Sequence, residues 1–161
     1  GLTVATPREA LGLAASGLGD DLLVANQVLD PVRLASLATC EARVTVAVDS
    51  EATIDAAARA GIREVLIDVS VGMPRCGCAP ADAARVADRA RATGLTVRGI
   101  MGYEGHVVGI PDRTERANGV PAATAILAAA HAEVGGEVIS AGGTTTYDLH
   151  TVATEIGRAH V

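Results

Sequence analysis

Short apolar runs alternate with helix-like stretches six times along this 161-residue chain, and no other feature constrains its fold as tightly. The runs are Leu2–Ala5, Leu22–Ala25, Val44–Val48, Val65–Val71, Leu95–Met101 and Glu137–Ala141. They are rich in Val, Ile and Leu and lack clean polar alternation, which suits strands covered on both faces, as in a parallel sheet. Several intervening helices have chemically marked starts. Thr6 caps the first, with Pro7 at its first position and Glu9 completing a capping box; Asp30-Pro31 repeats the device, and Ser50 and Ala79-Pro80 open two more. Gly17, Gly61, Gly94 and Gly135-Gly136 fall where a left-handed helix end needs glycine. Between residues 80 and 93, Ala83, Val86, Ala87 and Ala90 recur at helical spacing, predicting a packed face opposite a solvated one.

Strand–helix alternation with short connections makes a parallel α/β fold. The expected architecture is a partial (β/α)8 TIM-type barrel of about six parallel strands with intervening helices, since a closed barrel takes eight strands and typically about 250 residues. A doubly wound open sheet is the alternative. The longest connection runs from Gly102 to about Arg113, follows a strand and contains glycine, the kind of loop that carries function in barrels.

Composition excludes several functions. With net charge −6 and no basic cluster, nucleic acid and anionic membrane are not expected partners. Tyr103 and Tyr147 are the only aromatic residues, too few for stacking on bases. No apolar run approaches the roughly 18 residues of a membrane span, so a cytoplasmic location is expected. Cys40, Cys76 and Cys78 suit neither a disulfide framework nor a zinc ribbon, and no metal site is assigned within the chain. All thirteen basic residues are arginine, so no lysine can form a Schiff base with a carbonyl cofactor.

Active sites of parallel α/β proteins form at the carboxyl ends of the strands. Thr6, Asn26, Asp49, Gly72–Gly77, Tyr103–His106 and Gly142–Thr145 occupy those places. Within Ser140–Thr146, two glycines permit close backbone approach to an anion and the hydroxyls can donate to it. The same residues equally describe a tight glycine turn with threonines capping a helix. Arg75 lies just past a strand end, where its guanidinium could bind a phenolate or carboxylate in fixed geometry. Asp68 reads better as a structural partner, and Cys76 and Cys78 as small core or loop residues. Tyr103, Glu104 and His106 offer acid–base groups, with a solvated loop position as the plainer reading of Glu104. His131 and His150 read as helix surface.

The segments Gly1–Ala10, Asp21–Val28, Asp68–Gly77, Gly99–His106 and Ser140–Tyr147 succeed one another in an order that resembles the D-threonine aldolase/D-serine dehydratase family. That family shares its barrel with alanine racemase, and the resemblance spans residues 1–155. It implies a fold-type III enzyme using pyridoxal 5′-phosphate on a small D-amino acid, in a homodimeric parent. By motif position it implies that Arg75 approaches the cofactor's phenolic oxygen, Tyr103 lines its ring, and Gly142, Gly143, Thr144 and Thr145 hold its phosphate. It implies lyase chemistry, aldolase or dehydratase, between which the barrel residues do not choose; an amino-acid racemase of the same fold and a non-catalytic cofactor-binding barrel are the alternatives.

The resemblance also implies that the Schiff-base lysine lies on the first barrel strand, upstream of Gly1. A divalent metal in the intact parent would be held by a C-terminal domain. This chain is therefore expected to be a fragment, residues 1–155 of a cofactor-binding barrel, that is inactive alone. Residues 156–161, Ile-Gly-Arg-Ala-His-Val, leave the family pattern and match the translation of a common sequencing adapter, ATC GGA AGA GCA CAC GTC. They are expected to be a non-native tail, so His160 is assigned to no site.

Overall fold

The computed structural model describes residues 1–152; the proposed tail at 156–161 lies outside the described residues. Six parallel strands form one sheet in sequential order: β1 (Leu2–Val4), β2 (Asp21–Gln27), β3 (Arg43–Val48), β4 (Glu64–Asp68), β5 (Thr96–Met101) and β6 (Val138–Ser140). A doubly wound sheet would reverse strand order partway; this one does not, so the barrel expectation holds. Right-handed crossovers between sequential parallel strands put the helices on one face. They are α1 (Pro7–Ala15), α2 (Pro31–Thr39), α3 (Glu51–Arg59), α4 (Ala83–Ala92), α5 (Gly105–Val108) and α6 (Arg113–Val134), with short 3₁₀ turns at Pro80–Asp82 and Tyr147–Val152.

The sheet curls into a half-barrel. Arg98 on β5 donates to Asp21 on β2 at 2.8 Å and to Thr45 on β3 at 2.8 Å. In a flat sheet, three strand spacings of about 4.8 Å would hold β2 and β5 roughly 14 Å apart.

Two apolar layers follow from the curl. The main core, between sheet and helices, includes Leu22, Leu34, Leu37, Ile54, Ile67, Ile100 and Leu127, all fully buried. Truncating such a leucine to alanine typically costs about 2–5 kcal/mol. The predicted stripe Ala83, Val86, Ala87 and Ala90 is the buried face of α4. A smaller cluster of Ala47, Leu66 and Met101 lines the concave side.

Helix starts follow the chemistry read from the sequence. The Thr6 hydroxyl accepts from Glu9 N while the Glu9 carboxylate accepts from Thr6 N, and Asp30 accepts from Val32 N and Arg33 N. Ser50 forms a capping box with Thr53. Two strand limits differ from expectation by more than one residue. β2 runs on to Gln27 through an irregularity after Val24, which sets Gln27 opposite Ala47. β4 stops at Asp68, because residues 69–78 fold back: Cys78 N bonds Asp68 O at 2.9 Å and Ser70 N bonds Cys78 O at 2.9 Å. Gly99 sits at a register shift between β4 and β5 with φ +146, and a Cβ there would lie 2.0 Å from Val138 O. Only glycine lets β6 approach that closely.

Candidate functional site at the carboxyl ends of the strands

The concave face opens at the carboxyl ends of the strands into a cavity of about 280 Å³. That is close to the lower bound of about 300 Å³ for small-molecule pockets. β1 lends it Thr3, β4 lends Asp68, the fold-back lends Arg75 and Cys76, and the segments after β5 and β6 lend Tyr103 and Gly142. Three residues singled out far apart in sequence, Arg75, Tyr103 and Gly142, thus border one space.

Arg75 stands over the Tyr103 ring, its guanidinium carbon 5.3 Å from the centroid. Its Nε donates to the Cys76 thiol at 3.4 Å, so the cation is carried at the rim by a ring face and a soft acceptor. Asp68 is 5% exposed and accepts from Gln27 Nε2 at 2.6 Å. Burial raises its carboxyl above the usual value, and the bonds from Gln27 and Cys76 only partly offset that. The structural role expected for Asp68 therefore comes with a place in the cavity wall. Gln27 was not singled out from sequence; its placement depends on the β2 irregularity, for which the local sequence carries no signal.

The loop after β6 is shaped from within. Gly142 has φ +90, and its N–H donates to Glu104 Oε2 at 3.2 Å. Gly143 N donates to the Thr146 hydroxyl at 2.9 Å, and a Cβ on Gly143 would lie 2.9 Å from the Tyr103 ring. The Thr145 hydroxyl donates to Val108 O at 2.9 Å, and Thr144 is exposed. Of the four predicted loop residues, Gly142 lines the cavity, while Gly143, Thr144 and Thr145 follow it in the loop and are not part of the lining.

Glu104 overturns the expectation of a solvated residue, being 0% exposed. It accepts from the Thr146 hydroxyl at 2.5 Å, from His150 Nε2 at 2.9 Å and from Gly142 N. Burial works to raise this carboxyl, but the bonds from His150, Thr146 and the backbone outweigh it and hold the group below the ordinary range. His150 is likewise no helix-surface residue. It is 6% exposed on the 3₁₀ turn, with Nδ1 3.4 Å from the Thr124 hydroxyl. Apolar periodicity does not register such residues, because their burial is stabilised by polar partners distant in sequence. His106 is exposed and packs over Gly72, outside the cavity lining, so the acid–base trio of the sequence is divided three ways. His131 meets Gly136 O at 3.1 Å at the end of α6. Among the described residues no three His, Cys, Asp or Glu side chains converge as a metal site, and no helix is long and apolar enough to cross a membrane.

A curled parallel sheet with its cavity at the strand carboxyl ends, flanked by a glycine loop and a rim arginine, defines a partial (β/α)-barrel protein with a cavity at its top face, where barrels of this class carry their sites. The chain belongs to the family described as alanine racemase, N-terminal domain, whose profile matches residues 1–159. Among solved structures it is similar to D-threonine aldolase from Filomicrobium marinum, with 25% identity and a TM-score of 0.90 over 99% of this chain and 47% of that one. D-threo-3-hydroxyaspartate dehydratase from Delftia sp. HT23 (24% identity, TM-score 0.71) is covered over 46% of its length by all of this chain. Alanine racemase from D-cycloserine-producing Streptomyces lavendulae (24%, TM-score 0.68) is covered over 43% by 99% of it. The chain thus spans slightly less than half the length of these structures. No curated protein sequence matches it.

Proposed function

We propose that this chain is the cofactor-binding barrel portion of a pyridoxal-phosphate-dependent lyase, of aldolase or dehydratase type, acting on a small D-β-hydroxy amino acid. The observation that carries the reading is the convergence of Arg75, Tyr103 and Gly142 on one cavity at the strand carboxyl ends. The residues fit the cofactor: the Tyr103 face suits a flat ring and the Arg75 guanidinium an anionic oxygen. Gly143 approaches Tyr103 so closely that a side chain would fill the gap. Once bound, the cofactor supplies an electron sink for a bond broken at Cα. The protein orients the ring, holds the anion and excludes water. This chain has no lysine, so it contributes contacts to ring and phosphate rather than the amine to which the cofactor attaches.

Backbone similarity favours the aldolase type within this reading, with a TM-score of 0.90 to the aldolase against 0.71 to the dehydratase and 0.68 to the racemase. Assay of the full-length protein with D-threonine, D-serine and D-alanine tests it: aldehyde or keto acid is expected. The L-enantiomer as sole product would replace lyase by racemase, and no turnover with cofactor bound would leave a binding protein. The 161-residue chain alone, mixed with cofactor, is expected to show no lysine-imine absorbance band.

A further inference from the structure

Glu104 is fully buried, and the groups bonded to its side chain, Gly142 N, the Thr146 hydroxyl and His150 Nε2, all belong to residues 142–150. A carboxylate without exposure loses its hydration, a cost of several kcal/mol unless its oxygens are bonded, and an apolar residue of similar size commonly fills such a place without loss of stability. What a carboxylate adds is direction. Oε2 takes the Gly142 amide, while Oε1 takes the Thr146 hydroxyl, whose oxygen in turn accepts from Gly143 N. Both glycine amides are thereby fixed, one directly and one through a single hydroxyl. On the other side Glu104 is joined to Tyr103, which with Gly142 lines the cavity. The separation between the ring wall and the glycine loop is therefore set by one buried side chain that is absent from the cavity lining.

Resting on the proposed cofactor reading, we infer that Glu104 is a positioning residue for the anion-bearing end of the ligand: through Gly142 and Thr146 it holds the 142–145 loop in the shape that accepts a phosphate. It is fully buried and lies outside the cavity lining, so it would act through these partners and not by contact with the ligand. Its effect falls on the phosphate end of the cofactor and spares the ring.

The test is to titrate the cofactor-stripped full-length protein with pyridoxal 5′-phosphate and, separately, with pyridoxal, following the visible absorbance of bound cofactor. Glu104→Gln keeps the volume but replaces one acceptor by a donor. It is expected to weaken pyridoxal-phosphate binding about tenfold, the scale of one buried hydrogen bond lost, while pyridoxal binding stays within about twofold. Thr146→Val, which breaks the relay to Gly143 and keeps the charge, is expected to act in the same direction and serves if Glu104→Gln does not fold. Equal losses for both ligands in either variant, or an unchanged ratio in Thr146→Val, would overturn the inference and leave Glu104 a purely structural residue. Absence of any preference for pyridoxal phosphate in the unaltered protein would instead overturn the cofactor reading, and this inference with it.

Discussion

The two ends of the half-barrel use charge in opposite ways. At the amino end ions face ions: Arg98, 11% exposed, bonds Asp21 at 2.8 Å and Glu137 at 3.1 Å, and Arg43 meets Glu64 at 2.6 Å. At the carboxyl end the buried acids are held by neutral dipoles and one histidine, Asp68 by Gln27 and Glu104 by Thr146, Gly142 N and His150, while Arg75 rests on an aromatic face. The first arrangement consumes its own electrostatics and ties β2, β3 and β5 together. The second leaves a cation and an open cavity available to a ligand. This division matches the rule that barrels carry chemistry at the carboxyl face and stability at the amino face.

The largest effect that would break the contrast comes from Arg98→Met, which strips the amino-end acids of their central partner. A stability loss of about 3 kcal/mol is expected by denaturant unfolding, with pyridoxal-phosphate affinity unchanged. A loss of affinity without loss of stability would mean the ends are not divided as described. Gly143→Ala sharpens the other side. Its Cβ would press on the Tyr103 ring from 2.9 Å, so cofactor affinity is expected to fall about tenfold in an absorbance titration while stability falls by only about 1 kcal/mol, the low end for overpacking.

The smallest effects are those of pH, and the two carboxyl-end acids have opposite signs. The Glu104 carboxyl lies below its ordinary value in the folded protein, so its contribution is present above the ordinary carboxylate value and is lost as pH falls below that value and through the lowered one. Glu104→Gln is expected to flatten the acid limb of the stability curve. The Asp68 carboxyl is raised by burial, so the folded state binds its proton more readily and ionisation costs stability as pH rises through that raised value. Asp68→Asn should remove that dependence and change stability at neutral pH by less than about 1 kcal/mol, provided the bond to Gln27 survives. Thermal melts of both variants from acid to neutral pH measure these slopes, and slopes of the same sign would contradict the geometry.

Much of this molecule was legible before its structure. Apolar runs marked six strands, Thr6, Asp30 and Ser50 marked helix starts, and the glycine-rich segment after β6 and Arg75 after β4 were singled out as candidate binding elements from their places at strand ends. Those features are local, set by side-chain period, capping and backbone freedom within a few residues. The placement of Glu104, His150, Gln27 and Arg98 was not. Each finds its partner far along the chain: Glu104 and His150 are 46 residues apart, Gln27 and Asp68 are 41, and Arg98 and Asp21 are 77. By itself the sequence determined that strands and helices alternate around a parallel sheet with chemistry-bearing loops at one end. Only the tertiary curl decided which polar groups would be taken out of water together. Burial of a charge is tolerated only where the folded chain brings donors to it, and no window of neighbouring residues contains that information.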